Sequence, residues 1–241
     1  MGFSVESMDD FITGTVIPVN KPYEWTSFDI VKKIKNQISK RLRQSSQIRI
    51  KNFKVGHAGT LDPLAEGLVL LCTGKATKQI NQLMADEKEY VATIVLGKTT
   101  PSYDLETPFD KEFPISHINE KLVTETLISF LGEQDQIPPV FSAKFIDGKR
   151  AYDYARKGQD VEMKPSRINI TEIELLEYNL PEIIFKVTCS KGTYIRSLAN
   201  DIGKRLDSGA YLKKLIRTRI GSYKLDSAIT IEEFEKILTT L

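Results

Sequence analysis

The stretch Gly56-His-Ala-Gly-Thr-Leu-Asp-Pro-Leu-Ala-Glu-Gly67 combines three glycines, a proline and two acidic residues within twelve positions. Gly56 and Gly59 allow the backbone to take positive φ angles or to approach a neighbour closely. Pro63 restricts Asp62 to an extended or turn conformation, so that a carboxylate can project here from a rigid turn. Asp62-Pro63 can equally cap a helix that begins near Leu64. The residues alone leave both interpretations open and favour the helix cap.

Outward from this stretch, helical and strand patterns mix without strict alternation. Strands are predicted at residues 14–20, 88–96, 167–177 and 183–190, and helices at 30–42, 118–131, 195–206, 210–216 and 231–238. Thr26 or Ser27 is placed to cap the first of these helices. Residues 44–54 and 99–114 are predicted to be loops, and the sequence contains no repeat or Gly/Ser-rich linker. The pattern predicts an α+β protein with a mixed sheet and peripheral helices, in one domain over residues 1–241.

Composition limits the class of protein. The chain has 241 residues, of which 41% are hydrophobic and 27% charged, as expected of a soluble globular protein. No window approaches the ~18 consecutive apolar residues of a membrane span, and the N-terminus lacks the features of a secretory signal. Cys72 and Cys189 lie far apart and are predicted to be buried thiols in a reducing cytoplasm. The chain has only two histidines, so no zinc site is expected.

Charge is balanced in total but separated along the chain. There are 34 basic and 32 acidic residues. Basic residues gather between Lys32 and Lys54 and again at Lys213, Lys214, Arg217 and Arg219, while acidic residues concentrate at 104–133 and 232–235. Such separation is compatible with a surface that faces a polyanion and clamps its phosphates. The alternative is that each charged run is an ordinary solvated face.

Several common catalytic motifs are missing from the sequence. The stretch from Gly67 to Lys75 resembles a phosphate-binding loop, but six residues separate Gly67 from Gly74 where that motif has four, and Ala76 replaces the Ser or Thr that would hold magnesium. A nucleotide triphosphatase is therefore the weakest hypothesis. The sequence also has no Gly-x-Ser-x-Gly, His-Glu-x-x-His or Cys-x-x-Cys pattern. Carboxylates, tyrosines and arginines remain as the candidates for chemistry.

The stretch from Gly56 to Gly67, continued by Gly74-Lys-Ala-Thr-Lys78, closely resembles the catalytic motif of the bacterial tRNA pseudouridine-55 synthase (TruB) family. Further family motifs are matched in the same order by Asn20-Lys-Pro22 with Thr26-Ser27, Glu89-Tyr-Val91, Ile137-Pro-Pro-Val-Phe-Ser-Ala-Lys144, Gly148-Lys-Arg-Ala-Tyr152 with Ala155-Arg156, Cys189-Ser-Lys-Gly-Thr-Tyr-Ile-Arg196, and Leu212 to Arg219. The resemblance covers about residues 14 to 230. It implies the pseudouridine synthase fold, with a largely antiparallel sheet.

The resemblance implies three catalytic residues. Asp62 would be the essential carboxylate, acting on the ribose–base bond of a uridine. Tyr90 would stack on the flipped-out base and assist loss of the C5 proton. Arg196 would pair with Asp62 and hold its carboxylate ionised and aimed. The alternatives are that Tyr90 is a half-buried strand residue and that Arg196 lies on a helix face.

Four further residues are implied to bind the substrate. Tyr194 would line the base pocket with Leu215 packed beside it, His57 would contact the flipped-out RNA, and Lys21 would support the motif turn or the active site. The alternatives are that Tyr194 is a half-buried strand residue, that Leu215 belongs to the core and that His57 hydrogen-bonds within a loop. No metal and no organic cofactor are expected, because the isomerisation changes no oxidation state and takes no group from outside.

The implied partner is tRNA, bound through its T-arm stem-loop, by a cytoplasmic monomer with no membrane contact. The C-terminal PUA-type domain common in the family is expected to be absent. The loop from Thr100 to Asp104 follows the family pattern only in part, and the loop 44–53 looks longer than usual. Two rival hypotheses remain: a non-catalytic RNA chaperone that folds tRNA, and a synthase that acts on another RNA.

Overall fold

The computed structural model describes residues 3–45, 53–142, 144–146, 148–159 and 161–241. Contacts between residues divide the chain into two compact units. Unit 1 comprises Met1–Glu89 and Ile216–Leu241, and unit 2 comprises Tyr90–Leu215. The expectation of one domain over residues 1–241 stays a prediction.

The chain forms seven α-helices and thirteen strands within the described residues. The helices are α1 Met8–Thr13, α2 Ser27–Ser45, α3 Ile80–Ala85, α4 Glu120–Ile128, α5 Ala151–Ala155, α6 Ile195–Arg205 and α7 Ile231–Thr240. The strands are β1 Val16–Lys21, β2 Val55–Ala58, β3 Ala65–Thr73, β4 Lys88–Leu96, β5 Lys98–Thr99, β6 Lys111–Glu112, β7 Gly132–Gln136, β8 Phe145–Ile146, β9 Lys149–Arg150, β10 Ser166–Asn179, β11 Glu182–Cys189, β12 Ala210–Ile220 and β13 Tyr223–Lys224.

Unit 1 is built on β3, whose residues are almost all buried. Both β1 and β2 pair with it in antiparallel fashion, with Lys21 opposite Gly67 and His57 opposite Leu71. Apolar side chains of β2, β3 and β12 form the core, among them Leu68, Leu70 and Ile220. The pairing places the stretch 59–64 as the connection between two strands of one sheet.

Helix α2 also contributes buried side chains to unit 1. Ile30, Ile34 and Ile38 are fully buried, and their spacing is that of one helix face. At its start, Asp29 N donates to Thr26 Oγ1 at 3.0 Å and Thr26 N donates to Asp29 Oδ2 at 2.9 Å. These reciprocal bonds satisfy two backbone donors that the helix end leaves open, so the predicted cap at Thr26 is confirmed.

Unit 2 contains a sheet in which β4, β11, β10 and β7 are neighbours in that order. The β10–β11 and β10–β7 pairs are antiparallel. Ile183, Phe185 and Val187 alternate along β11 on the buried face, as a half-buried strand requires. Helix α4 buries one face, and Asn119 caps it by accepting from Leu122 N at 3.0 Å. Helix α6 is buried on all sides over its first six residues, Ile195 to Asn200. The predicted α+β class, with a mostly antiparallel sheet and peripheral helices, is confirmed.

Two local predictions are wrong. Residues 210–216, predicted to be a helix, form the first part of strand β12. The short run of apolar residues from Ala210 to Leu212, with Leu215 beyond it, fits either period, so periodicity alone misassigned it. The helix that Asp62-Pro63 would cap is also absent, because β3 begins at Ala65. Residues 46–52, most of the predicted basic loop, lie outside the described residues.

Candidate active site

Asp62 lies in a turn between β2 and β3. Its carbonyl accepts a hydrogen bond from Ala65 N at 3.1 Å, and the strand begins at that residue. The Asp62 side chain is half-buried, whereas Pro63 beside it is exposed. Of the two interpretations of this stretch, the structure therefore supports the rigid turn and not the helix cap.

The segment between β1 and α2 braces this turn on both sides of Asp62. Ser27 Oγ, which is buried, accepts from Leu61 N at 2.9 Å and donates to Leu61 O at 3.1 Å. Glu24 N donates to Pro63 O at 2.9 Å. The residues directly before and after the aspartate are thus both fixed, which limits where its carboxylate can point.

Lys21 forms a third brace, from inside the molecule. It ends β1 and is fully buried. Its ammonium donates to the carbonyls of Pro22 at 2.9 Å, Trp25 at 2.6 Å and Pro63 at 3.2 Å. An ammonium has three hydrogens, and these three acceptors use them all. Lys21 therefore ties the N-terminal motif to the residue that follows Asp62.

The surroundings of Lys21 oppose its charge. Burial lowers the pKa of Lys21 from 10.5 to about 8. The carboxylates of Glu66 and Asp62 act in the opposite sense, and the positive charge of Arg217 adds to the lowering. These through-space effects place the charges of a lysine, an arginine and two carboxylates in one electrostatic neighbourhood within unit 1.

Arg217, on β12, makes the most extensive contact with the segment that carries Asp62. Its side chain is only 1% exposed. Nε donates to Leu68 O at 2.7 Å, Nη1 to Thr60 O at 3.3 Å and Nη2 to Gly59 O at 3.2 Å. For this residue the predicted phosphate-facing role is wrong, because a guanidinium buried among carbonyls cannot reach a phosphate.

The other cations of that basic segment, Lys213, Lys214 and Arg219, differ in their contacts and exposure. Arg219 lies 3.9 Å from Glu89 through Nε and Oε2, and its Nη1 donates to Gly221 O at 3.1 Å. Lys213 forms an ion pair with Glu182. Both lysines, Lys213 and Lys214, are exposed. The segment thus contributes exposed ammonium groups but not the row of four cations that the sequence suggested.

His57 is half-buried on β2, two residues before Gly59. Burial lowers its pKa below 6.5, the nearby charge of Arg217 adds to this, and a backbone hydrogen bond at Gly59 opposes it. The imidazole is therefore neutral at pH 7 and offers hydrogen bonds, not charge, to a ligand.

Arg196 opens helix α6 in unit 2 and is buried. Its Nε lies 3.6 Å from Asp104 Oδ2, with the two side chains only 6% and 8% exposed. Its Nη1 donates to Phe141 O at 2.9 Å. The guanidinium is thus oriented from two directions, which is what a residue with a positioning or charge-pairing role requires.

Asp104, the carboxylate partner of Arg196, was not predicted from the sequence. Its loop is held by Thr100 Oγ1 and Ser102 Oγ, which both donate to its carbonyl, at 2.6 and 3.2 Å. Glu106 N donates to the carboxylate at 3.0 Å. The signal available was the partial match of Thr100-Pro-Ser-Tyr-Asp104 to the family pattern, but no spacing rule connects this loop to a helix some ninety residues away.

The two predicted tyrosines differ in their settings. Tyr194 precedes α6 and is half-buried, and Gln136 clamps its backbone by accepting from its N–H at 2.8 Å and donating to its carbonyl at 3.1 Å. Gln136 was not predicted from the sequence. Tyr90 lies on β4 and Leu215 on β12, and both are buried, at 8% and 6% exposure.

The predicted site residues divide between the two units. Unit 1 contains Lys21, His57 and Asp62, and unit 2 contains Tyr90, Tyr194, Arg196 and Leu215. Within unit 1 the structure connects Lys21 to the turn of Asp62. The expected ion pair between Asp62 and Arg196 involves one residue from each unit and stays a prediction, as do the catalytic and binding roles.

The described part of the chain contains neither a candidate metal cluster nor a candidate membrane-spanning helix. Its histidine, cysteine, aspartate and glutamate side chains nowhere gather in threes in a way that would hold a metal ion. None of its helices combines the length and the apolar character that crossing a membrane takes.

Two protein-family domains match the chain. The TruB family pseudouridylate synthase N-terminal domain matches residues 43–195, and the tRNA pseudouridylate synthase B C-terminal domain matches residues 196–240. The chain is 54% identical over 229 residues to tRNA pseudouridine synthase B of Phocaeicola vulgatus, which covers 95% of each chain. It is 47% identical over 221 residues to tRNA pseudouridine synthase B of Clostridium tetani, covering 92% of this chain and 72% of that one.

A solved structure shows the same architecture. The chain is 27% identical, with a TM-score of 0.67, to a chain in a structure of an H/ACA RNP bound to a substrate RNA containing 2′-deoxyuridine. The similarity covers 96% of this chain and 55% of the other, so this chain spans little more than half of that one.

The fold, the braced aspartate turn and these similarities define an isomerase of the pseudouridine synthase class. More specifically, the chain belongs to the TruB family of pseudouridylate synthases. The resemblance found in the motifs from Gly56 to Lys78 is thereby confirmed.

Proposed function

We propose that this enzyme isomerises uridine 55 in the T loop of tRNA to pseudouridine, with Asp62 as its catalytic carboxylate. Relatives at 54% and 50% identity are named tRNA pseudouridine synthase B. The observation that carries the proposal is the bracing of the Asp62 turn, where Ser27 holds Leu61 and Lys21 holds Pro63. A turn held on both sides of one half-buried carboxylate is the pre-organisation that catalysis needs.

The reaction fits the residue types of this site. The C1′–N1 bond of uridine breaks, the base turns, and a C1′–C5 bond forms. The C5 proton leaves to solvent, and N1 gains a proton, so atoms and electrons balance without an oxidant or a metal. The Asp62 carboxylate acts either as a nucleophile at C1′ or as the base that removes a ribose proton. Both routes require the ionised carboxylate, held close to the sugar.

Unit 2 provides the proposed contacts to the base. Tyr90 stacks on the flipped uridine and assists loss of the C5 proton, Tyr194 and Leu215 line its pocket, and Arg196 pairs with Asp62. Aromatic faces and polar-edge contacts are the usual means of holding an extruded base. The support for Arg196 is its orientation by Asp104 and Phe141.

The RNA is proposed to be the T-arm stem-loop, because bases are most readily extruded from loops. His57 contacts the RNA beside the flipped base. The exposed ammonium groups of α2, among them Lys32, Lys35 and Lys40, contact flanking phosphates. The enzyme is proposed to work in the cytoplasm as a monomer that needs neither metal nor cofactor.

The test uses a T-arm stem-loop with tritium at C5 of uridine 55 alone, and a second stem-loop labelled at another loop uridine. Tritium released to water reports formation of the C1′–C5 bond. Wild type is expected to release tritium from the first RNA only. Asp62→Asn is expected to release none, while Asp226→Asn, which changes an exposed carboxylate of the same unit, releases tritium at the wild-type rate.

Other outcomes decide against parts of the proposal. No release by wild type from the stem-loop or from full-length tRNA, alongside a working relative, overturns the proposed substrate. Release by Asp62→Asn at the wild-type rate overturns the role of Asp62. An RNA chaperone would accelerate tRNA folding equally well with and without the Asp62 carboxylate, which separates that rival from the enzyme.

A further inference from the structure

Arg217 is a cation with an unusual environment. It is 1% exposed, and among the described residues none of its partners is a carboxylate. Removing a guanidinium from water carries a large desolvation cost, and hydrogen bonds to carbonyls offset it only in part. A residue that fills space in a core would not need this charge. The buried charge is therefore best explained by the three carbonyls that the guanidinium holds in place.

The three acceptors lie on both sides of Asp62 in the sequence. Gly59 and Thr60 precede it by three and two residues, and Leu68 follows it by six. The guanidinium is planar and its donors form a rigid fork, so bonds to all three carbonyls fix their relative positions. Gly59 itself has a φ of +92°, which glycine adopts without strain, so its backbone is free to vary and the bond from Arg217 helps to fix it.

We propose that Arg217 is a positioning residue for the isomerisation: it sets the backbone of the stretch 59–68 so that Asp62 presents its carboxylate to the ribose. The inference rests on the proposed function, since it takes Asp62 as the catalytic carboxylate. Arg217 touches neither the substrate nor the reacting atoms, and it acts through the turn.

Two other roles for Arg217 predict different measurements. If Arg217 contacted a phosphate, its substitution would weaken RNA binding and leave the reaction rate of the bound RNA unchanged. If Arg217 had a purely structural role, its substitution would lower the stability of the protein and would reduce activity only through the fraction of protein that is unfolded. If Arg217 has a positioning role, its substitution lowers the reaction rate of the enzyme–RNA complex in protein that is folded and binds RNA normally.

The experiment compares Arg217→Lys and Arg217→Gln with the wild type. The matched control is Arg167→Lys, an arginine-to-lysine change at an exposed strand position. Single-turnover tritium release is measured with enzyme in saturating excess, RNA affinity by filter binding, and stability by thermal melting. Lysine retains the charge but donates from one point, so Arg217→Lys is expected to lose about 10- to 100-fold in single-turnover rate with little change in RNA affinity.

Each result has a clear reading. A wild-type single-turnover rate in Arg217→Lys overturns the inference, and so does a loss confined to RNA affinity. If Arg217→Gln does not fold, the lysine variant, which keeps the charge on a single donor nitrogen, decides the question below its own melting temperature. The split between single-turnover rate and RNA affinity, both measured below the melting temperature, is a readout that lost stability alone would not produce.

The two proposals fail in different ways. Full activity in Asp62→Asn, or an inactive wild type, removes the proposed function and the inference with it. An inactive Asp62→Asn together with a fully active Arg217→Lys removes the inference alone.

Discussion

Asp104 Oδ2 lies 3.6 Å from the Nε of Arg196, and both side chains are more than nine-tenths buried. A buried pair of this kind gives little net stability, because desolvation of both charges offsets their attraction. It does fix the plane of the guanidinium. Phe141 O, which accepts from Nη1, fixes it from a second direction. The pair therefore orients an arginine that is proposed to act on another carboxylate.

The first prediction concerns Asp104→Asn. The change keeps the shape of the side chain but removes the charge that holds Arg196. The guanidinium of Arg196 is therefore expected to rotate away from its wild-type orientation. The single-turnover rate at saturating RNA should fall about 10- to 100-fold, because small misplacements of catalytic groups have effects of this size. Asp110→Asn, an exposed residue of the same loop, should retain the wild-type rate. Equal rates in the two variants would rule out an orienting role for Asp104.

The second prediction concerns pH and Lys21. Its pKa is about 8 in the folded protein and 10.5 in the unfolded chain. Between these values the unfolded chain binds more protons at this site, so the free energy of unfolding rises with pH. Below about pH 8 both states are protonated, and the full cost of burying the ammonium is present. The contribution of Lys21 should therefore increase from about pH 8 upward.

Urea denaturation of wild type and Lys21→Met at several pH values measures this contribution as a difference. Groups that titrate elsewhere in the chain cancel in that difference. The free energy of unfolding of the wild type should rise relative to that of Lys21→Met as the pH rises from about 8 to 10.5. A difference that stays constant across this window would show that Lys21 is not desolvated in the folded state.

The third prediction separates the residues that contact phosphates from those that do not. Each Lys that neutralises a phosphate contributes about 0.7–0.9 to the slope of log affinity against log salt. Lys35→Gln should reduce this slope, because Lys35 is exposed on α2. His57→Asn should leave it unchanged, since a neutral imidazole displaces no counterion. Arg217→Lys should also leave it unchanged, because its cation is buried, and a reduced slope there would contradict the burial.

The fourth prediction concerns close packing at Gly67. This residue has a φ of +103°, and a Cβ placed on it would lie 2.4 Å from Arg217 O. Gly132 has a similar φ of +91° but open space around it. Gly132→Ala thus measures backbone strain alone, about 1–3 kcal/mol. Gly67→Ala should lose a further ~1–3 kcal/mol in urea denaturation, because β12 must move away. Equal losses would show that the contact is easily relieved.

The sequence indicated the rigid turn as one of two interpretations and, through the resemblance, predicted a supporting role for Lys21, but it did not predict the contacts that Ser27 and Arg217 make with the turn. Pro63 and the glycines around Asp62 mark a local conformation, which neighbouring residues determine. Arg217 lies some 150 positions away, and nothing in its own segment distinguishes it from Lys213 or Arg219. Only the pairing of β12 in the fold decides which of these cations turns inward. An inward orientation that depends on the tertiary fold does not produce a periodic pattern in the sequence.

The same limit explains the error at residues 210–216. In a strand, alternation reveals the buried face, but Ala210, Tyr211 and Leu212 are consecutively buried. A strand buried on both faces shows no alternation, and a short apolar run then fits a helix as well. Where one face was solvated, as along Ile183–Val187 of β11, the pattern predicted the strand correctly.

The bonds that hold the Asp62 turn are asymmetric between their two ends. In five of these bonds the donor is a side chain, that of Lys21, Ser27 or Arg217. In two others a main-chain N–H donates, from Glu24 to Pro63 O and from Leu61 to Ser27 Oγ. The acceptors in the turn and its flanks are main-chain carbonyls, at Gly59, Thr60, Leu61, Pro63 and Leu68. Every amino acid supplies the same carbonyl, so substitutions at exposed acceptor positions such as Thr60 leave these bonds intact. Substitution should therefore be tolerated at an exposed position that is held only through its carbonyl, such as Thr60, and tolerated little at Asp62, at Gly67 and at the distant side chains that hold the turn.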